Sequence, residues 1–215
     1  FNLGIENNME TYFGGGFRFD EILNSQLINT RERIVIDTSN FGNIYESNIN
    51  LWGQATWIKN KWIVNVGLRF DAFMFEYLDR TVDVYSPATK RQNILSPKLN
   101  LAYNASSAVQ VFLKAGQGFH SNDARVVTDN DSLPTLPRAI GADLGVNWKP
   151  ASRLIINTAI WYMYLESELV WSGDAGTWEP SGQTNRFGVD LSLRWQILNW
   201  LFFDTDINYC LARYI

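Results

Sequence analysis

Apolar and polar residues alternate along most of this chain, in stretches of about ten residues. Between Phe187 and Trp195, every odd-numbered residue is apolar, whereas every even-numbered one is glycine, serine or charged. Because successive side chains of a strand point to opposite faces, this stretch is a strand with one apolar and one polar face. Repeated along a chain, the pattern is typical of a β-barrel with an apolar outside and a wet inside. It favours the bacterial outer membrane and transport over a soluble enzyme.

Similar stretches recur, and the connections between them are alternately short and long. Residues 7–45 are predicted as a long polar stretch, with Gly14–Gly16 as a flexible loop. The stretch from Arg153 to about Val170 is predicted to be the longest strand. About nine strands are expected in an all-β, antiparallel transmembrane β-barrel. They are a stub at Asn2–Glu6, Glu46–Trp57, Trp62–Met74, Leu95–Tyr103, a strand through Val109–Ala115, Arg138–Trp148, Arg153–Val170, Asn185–Trp195 and Leu201–Tyr209.

The alternation of short and long connections also predicts topology, because membrane barrels have short periplasmic turns and longer extracellular loops. Periplasmic turns are expected near Asn60, Ser106, Pro150 and Leu198, and extracellular loops near Asn24, Pro87, Asp129 and Gly176.

Composition excludes several classes of function. The net charge is −4 and no run of Lys or Arg occurs, so nucleic acid is not an expected partner. The chain has a single cysteine, Cys210, so an intrachain disulfide is excluded. It has a single histidine, His120, so a metal site with several histidines is also excluded. No cofactor or metal is therefore expected. No stretch approaches about eighteen consecutive apolar residues, so no transmembrane helix is predicted. Aromatic residues make up 14% of the chain, which suits membrane interfaces.

The strand count and the chain ends bear on closure. In lipid, an open sheet edge leaves backbone groups unpaired, so a spanning sheet must close. An odd number of strands, with strand patterns at both ends of the chain, predicts an arc of a larger barrel. We therefore expect a piece of a larger protein, in which the absence of a signal peptide says nothing about location.

Several motifs resemble the barrel of TonB-dependent outer-membrane receptors, over about residues 46 to 213. Leu95–Tyr103 begins with Leu-Ser-Pro-Lys, and Lys114–Arg125 contains Gly-Gln-Gly-Phe, similar to the Ser-Pro-Lys strand start and Gly-x-Gly-Phe strand end of that family. Gly67–Asp71 is similar to its Gly-x-Arg-aromatic-Asp strand. Further similar segments are Leu165–Val170, Gln183–Asp190 and Leu198–Leu201.

The resemblance implies that residues 1–215 form a partial β-barrel domain from a barrel of about 22 strands, the size class with a plugged lumen. The plug domain, the N-terminal box that contacts TonB and the final aromatic-ended strand are not found in the sequence. The partners that it implies are outer-membrane lipid, a small-molecule ligand, and TonB through that missing N-terminal region.

Two groups of residues are candidates for function. Residues on the polar faces are predicted to face the lumen, and polar or aromatic residues of the long loops are candidates for ligand binding. The lumen-facing set is Arg69, Asp71, Lys114, Asp143, Asp190, Arg194, Asp204 and Asp206. The ligand-binding set is His120, Asn122, Asp123, Arg125, Trp171 and Trp178.

Catalytic and metal-binding interpretations are weaker. His120, Ser121 and Asp123 contain the residue types of a hydrolase triad, but neighbours on an extended chain point apart. Asp204 and Asp206 share a face and are expected to line the lumen rather than to catalyse. The Asp129–Asp131 run has no twelve-residue calcium loop around it.

The leading hypothesis is therefore a receptor fragment for TonB-dependent uptake of a scarce nutrient, such as a siderophore-bound metal, and not an enzyme. Long extracellular loops would capture the ligand. A passive outer-membrane porin is the first alternative, and a soluble glycan-binding β-sandwich is the second.

Overall fold

The computed structural model describes residues 2–5, 8–82, 86–129, 133–172, 177–180 and 182–215; for 2–5, 169–172 and 177–180 only the backbone is described. Twelve strands and one helix occur in these residues. They are β1 (Asn2–Ile5), β2 (Met9–Arg31), β3 (Ile34–Lys59), β4 (Trp62–Asp79), β5 (Ala88–Asn104), β6 (Val109–Phe119), α1 (Ala124–Asp129), β7 (Arg138–Ala151), β8 (Leu154–Leu165), β9 (Leu169–Ser172), β10 (Thr177–Pro180), β11 (Thr184–Leu198) and β12 (Leu201–Tyr214).

Ten of these strands form one antiparallel sheet in the order β1-β2-β3-β4-β5-β6-β7-β8-β11-β12, and β9 pairs with β10 in a separate hairpin. Within the described residues no pairing joins β1 to β12, so the sheet is open. The predicted all-β, antiparallel fold class is confirmed. Each strand pairs with the next in the sheet, as a chain of hairpins requires.

The two faces of the sheet differ in polarity. Asn48, Asn50 and Asp71 lie on one face, which we call the inner face; the opposite, outer face carries Leu51 and Leu68. Leu51 and Leu68 are 63% and 53% exposed, whereas Asp71 is fully buried. The outer face therefore presents large apolar side chains to its surroundings, and the polar groups pair on the inner face, as the alternation predicts.

The interpretation of residues 7–45 as a polar stretch is wrong. The strands β2 and β3 form a long hairpin there, joined at Glu32 and Arg33, whose φ angles of 52° and 69° suit a two-residue turn. Phe17 and Phe19 continue the outer-face alternation, but three glycines interrupt it. The predicted loop near Asn24 is a strand irregularity within this hairpin.

The glycines of β2 are rigid strand positions rather than the predicted flexible loop. A Cβ atom at Gly14 would lie 2.8 Å from Trp52 Cζ2, and one at Gly15 would lie 2.9 Å from Leu51 Cδ2. Residues 14 and 15 are the register partners of Trp52 and Leu51 on β3. Glycine is present because the facing side chains occupy the space of its own side chain.

The predicted longest strand is also wrong, because β8 ends at Leu165 and the segments 169–172 and 177–180 pair with each other as the β9–β10 hairpin. The longest strand is β3, with 26 residues. From β3 onward the predicted alternation of connections is confirmed: short turns at 60–61, 105–108, 152–153 and 199–200 lie at one end of the sheet, and the longer connections β4–β5, β6–β7 and β8–β11 leave and rejoin the sheet at the other. The first connection predicted to be long, near Asn24, is instead the two-residue turn between β2 and β3.

A small apolar core lies on the inner side of the sheet rather than between two layers. Phe75 and Ile94 of the sheet pack with Ala124 and Val127 of α1 and with Leu136. The connection 120–137 therefore folds back over β3–β5 instead of extending away from the sheet. No helix in the described part of the chain is long and apolar enough to cross a membrane.

Candidate functional site

Rows of side-chain amides cross the inner face at the short-turn end. Asn65 donates to Thr56 Oγ1 at 2.8 Å and accepts from Asn100 Nδ2 at 3.1 Å. Farther along the sheet, Gln110 donates to Asn104 at 2.8 Å and accepts from Asn147 at 3.1 Å. Each row joins three adjacent strands. These bonds satisfy polar groups on the inner face without charge.

Asp71, in its pair with Arg69, is the most buried carboxylate among the ion pairs that the structure describes. The guanidinium donates from Nε to Oδ2 and from Nη2 to Oδ1, both at 2.7 Å. Asn48 donates a further bond of 3.1 Å to Asp71 Oδ1. The Asp71 side chain is inaccessible, whereas that of Arg69 is 47% exposed. Because the pair shares one strand face, a buried carboxylate holds a guanidinium at the inner surface.

The same face continues through the rest of the sheet. Lys114 is the register partner of Asp143 and lies with its ammonium 4.8 Å from the centroid of the Phe112 ring. Register pairing places Asp190 on this face, where it accepts a bond of 2.9 Å from Asn208. The structure thus puts all eight predicted lumen residues on one face; that this face lines a lumen stays a prediction.

Arg194 joins the two acidic residues of β12. Its Nη2 lies 3.0 Å from Asp206 Oδ2, and its Nε lies 3.7 Å from Asp204 Oδ1. Both carboxylates therefore face a guanidinium rather than each other. This arrangement lacks the neighbouring reactive atom that acid–base chemistry needs.

Asp123 starts α1. Its backbone carbonyl accepts from the amides of Val126 and Val127, and its side-chain Oδ1 accepts from the amide of Arg125 at 2.9 Å. The Arg125 side chain also binds the carboxylate through Nε and Nη2. Burial raises the pKa of Asp123, but the hydrogen bonds and charge of Arg125 outweigh it and leave the pKa below its ordinary value. Asp123 is thus a charged cap of the helix.

Asn122 and His120 hold the connection 120–137 in place. The Asn122 side chain is buried, and its Nδ2 donates to the backbone carbonyl of Pro134 at 2.6 Å. The backbone amide of Asn122 donates to the backbone carbonyl of Thr135 at 3.1 Å. His120 Nε2 lies 3.4 Å from the carbonyl oxygen of Ser167. The triad interpretation fails, because His120 contacts a backbone carbonyl and Asp123 contacts Arg125.

Tyr77 is a buried inner-face residue that the sequence analysis missed. Its hydroxyl donates to Asn40 Oδ1 of β3 at 2.8 Å. Nothing in the sequence signals that two residues so far apart along the chain would meet across neighbouring strands.

The two loop tryptophans oppose each other in register. Trp171 of β9 pairs with Trp178 of β10 in the antiparallel hairpin. Their side chains lie outside the described residues. Among the described residues, no group of three or more His, Cys, Asp or Glu side chains is placed to hold a metal ion; Asp131 and its neighbour at 130 fall outside them.

A family model for the TonB-dependent receptor-like β-barrel matches residues 1–213. The chain therefore belongs to the TonB-dependent receptor family, whose members are outer-membrane β-barrel proteins. A comparison with curated proteins gave no match.

Three solved structures illustrate the similarity in fold. The ferric yersiniabactin uptake receptor FyuA from Yersinia pestis has a TM-score of 0.77 and 13% identity over 99% of this chain and 34% of its own. The FrpB iron transporter from Neisseria meningitidis has a TM-score of 0.72 and 12% identity over 99% and 34%. The copper transporter OprC has a TM-score of 0.73 and 10% identity over 97% and 36%. The chain thus spans about a third of each of these proteins.

Proposed function

We propose that this chain forms part of the wall of an outer-membrane receptor for the active, TonB-dependent uptake of a scarce small ligand. The observation that carries the proposal is a ten-stranded sheet with an apolar outer face and a paired polar inner face, in a chain of this family. The outer face meets lipid, because only a hydrocarbon environment matches so many exposed apolar side chains. The inner face borders the ligand's route.

The ligand class follows from the proteins of similar fold. They are named for the uptake of ferric yersiniabactin, of iron and of copper. We infer that this receptor takes up a metal, free or bound to a small chelator. In this proposal, residues 1–215 are a partial barrel domain. The plug domain and the segment that contacts TonB belong to other parts of the protein.

The long-connection end of the sheet is the extracellular end in this proposal, and its loops capture the ligand. The β9–β10 hairpin, with its two tryptophans, is the most suitable segment, because it lies in a loop and projects from the ends of β8 and β11. Asn122, Asp123 and Arg125 support capture indirectly by fixing the connection 120–137, since their polar atoms bind each other and the backbone.

The soluble β-sandwich has no support in the fold. The described strands form one large sheet and one two-stranded hairpin, not two sheets packed face to face. A passive porin would have a similar barrel wall. It differs from the proposed receptor in that its transport needs no energy from TonB.

The proposal is tested by deleting the gene in its native bacterium and measuring uptake of ⁵⁵Fe and ⁶⁴Cu, with and without chelators, by wild-type, deletion and TonB-deficient strains. Loss of uptake of one metal in both mutants, restored by the plasmid-borne gene only where TonB is present, is the expected result. Uptake that needs the gene but not TonB would identify a passive pore. Recovery of the protein in the soluble fraction would refute the membrane assignment.

A further inference from the structure

A cleft of about 320 Å³ opens on the inner face, between strands β3, β4, β5 and β6. It is lined by side chains that differ in chemistry: one indole, two cations, two amides and one hydroxyl. They are Trp52, Gln54, Arg69, Ser96, Lys98 and Gln117. A volume of this size falls at the lower end of small-molecule sites.

Two glycines leave room for side chains that line the cleft. The indole of Trp52 lies across Gly14, where a Cβ atom would approach to 2.8 Å. The stem of Lys98 lies across Gly67, where a Cβ atom would come within 2.5 Å of Lys98 Cε. Trp52 stays 39% exposed beside the amides and cations of the cleft. Glycine at these positions lets a flat aromatic surface and a cationic stem lie against the sheet instead of standing away from it.

The polar groups of the cleft are suited to an anion. Lys98 Nζ donates to Gln54 Oε1 at 2.6 Å, which leaves two of its three N–H groups, and no acidic partner of Lys98 is found among the described residues. Arg69 binds Asp71 through Nε and Nη2, so Nη1 remains. The charge of Arg69 is balanced by Asp71, so the cleft keeps one net positive charge, that of Lys98.

We propose that this cleft binds planar organic anions, with aromatic carboxylates as the chemical class. The ring stacks on the indole of Trp52, and the carboxylate accepts hydrogen bonds from Lys98 Nζ and Arg69 Nη1. The inference rests on the proposed function in one respect, which is that the inner face borders the ligand's route. The cleft is then a binding point on the barrel wall for an anionic, aromatic portion of the ligand, away from the loops.

The test uses the full-length receptor, purified from outer membranes in detergent, and salicylate as the probe, titrated by calorimetry or by ligand-observed NMR. We expect a Kd on the order of 1 mM, as for other fragment-sized ligands. Lys98→Gln keeps the length of the side chain but removes its charge, and should weaken binding about tenfold. Lys114→Gln removes an equal charge from the same face outside the cleft and should change Kd less than about twofold.

The aromatic contribution is tested separately. Trp52→Leu should weaken salicylate binding about fivefold. The control is Trp161→Leu, which alters another inner-face indole, packed over Gly188 and outside the cleft. It should change the Kd for salicylate less than about twofold. Cyclohexanecarboxylate has the charge without the planar ring, and should bind wild-type protein about as weakly as salicylate binds Trp52→Leu. Thermal unfolding of each variant establishes that it is folded.

Absence of salicylate binding to the wild-type receptor would overturn the proposal, as would equal weakening by Lys98→Gln and Lys114→Gln. Binding that is unchanged in Trp52→Leu would overturn the stacking. The outcome is independent of the uptake experiment: a receptor with TonB-dependent uptake and no Lys98-dependent binding refutes the cleft alone. Lys98-dependent binding in a receptor whose deletion leaves metal uptake unchanged refutes the proposed function alone.

Discussion

Arg69 and Asp71 stand two residues apart on β4 and are joined by two hydrogen bonds of 2.7 Å each, with the carboxylate fully buried and the guanidinium half exposed. The two partners are therefore not equivalent. Loss of the arginine leaves a charge without its partner in a place that water does not reach. Loss of the carboxylate leaves a guanidinium that water can still solvate.

This asymmetry predicts that Arg69→Gln destabilises the protein by about 3 kcal/mol, and that Asp71→Asn costs less, because Asn48 and Arg69 can still bond to an amide. The measurement is denaturant unfolding of the full-length receptor in detergent, followed by tryptophan fluorescence. Arg194→Gln is the control. It breaks a pair whose side chains are 43% and 54% exposed, and no measurable change is expected. Equal losses at Arg69 and Arg194 would show that burial of Asp71 does not matter.

Glycine positions predict a second set of stability changes. A Cβ atom at Gly145 would meet the ring of Phe112 and would lie 2.5 Å from the carbonyl oxygen of Thr158, so neither neighbour can yield without moving the sheet. Gly145→Ala should therefore cost about 1–3 kcal/mol. At Gly118, nothing lies within 4 Å of the added atom. Gly118→Ala should be close to neutral in the same unfolding measurement, and a comparable loss there would contradict the steric explanation.

The strand alternation predicted most of the sheet because it reports a physical property of each residue, its face. In β3–β7, β11 and β12, the residues predicted to share a face do so in the register of the sheet. The pattern failed in β2, because glycine carries no side chain and so gives no signal for either face. Glycine is needed at positions 14 and 15 because Trp52 and Leu51 of β3 occupy the neighbouring space. This requirement becomes visible only once the register of β2 against β3 is known.

The candidate site was less predictable for a related reason. Asn122, Asp123 and Arg125 were chosen because polar loop residues often bind ligands, but the structure shows them bound to each other and to the backbone. That outcome depends on how the connection 120–137 folds back, which is decided by long-range contacts between Val127 and Phe75. Trp52 did carry a sequence signal, as an aromatic residue on the polar face of its strand.

The folded-back connection is predicted to depend on Val127. This side chain is fully buried in the small core, whereas the adjacent Val126 is only half-buried. Val127→Ala should weaken the local structure by about 1–3 kcal/mol and speed trypsin cleavage after Arg125 by at least about fivefold. Val126→Ala is the matched control and should change the cleavage rate less than about twofold. Equal rates in the two variants would mean that the core does not hold this segment.

The last prediction concerns pH and rests on Asp123, which lies outside the strands in the connection between β6 and β7. The pKa of Asp123 is lowered although burial alone would raise it, because Arg125 stabilises its charged form. Its contribution is present above the ordinary aspartate pKa and is lost as the pH falls through the lowered one. Asp123→Asn should therefore unfold at a lower temperature than wild type at neutral pH, with a difference that disappears only in strong acid. A difference in unfolding temperature between Asp123→Asn and wild type that does not change with pH would refute this assignment.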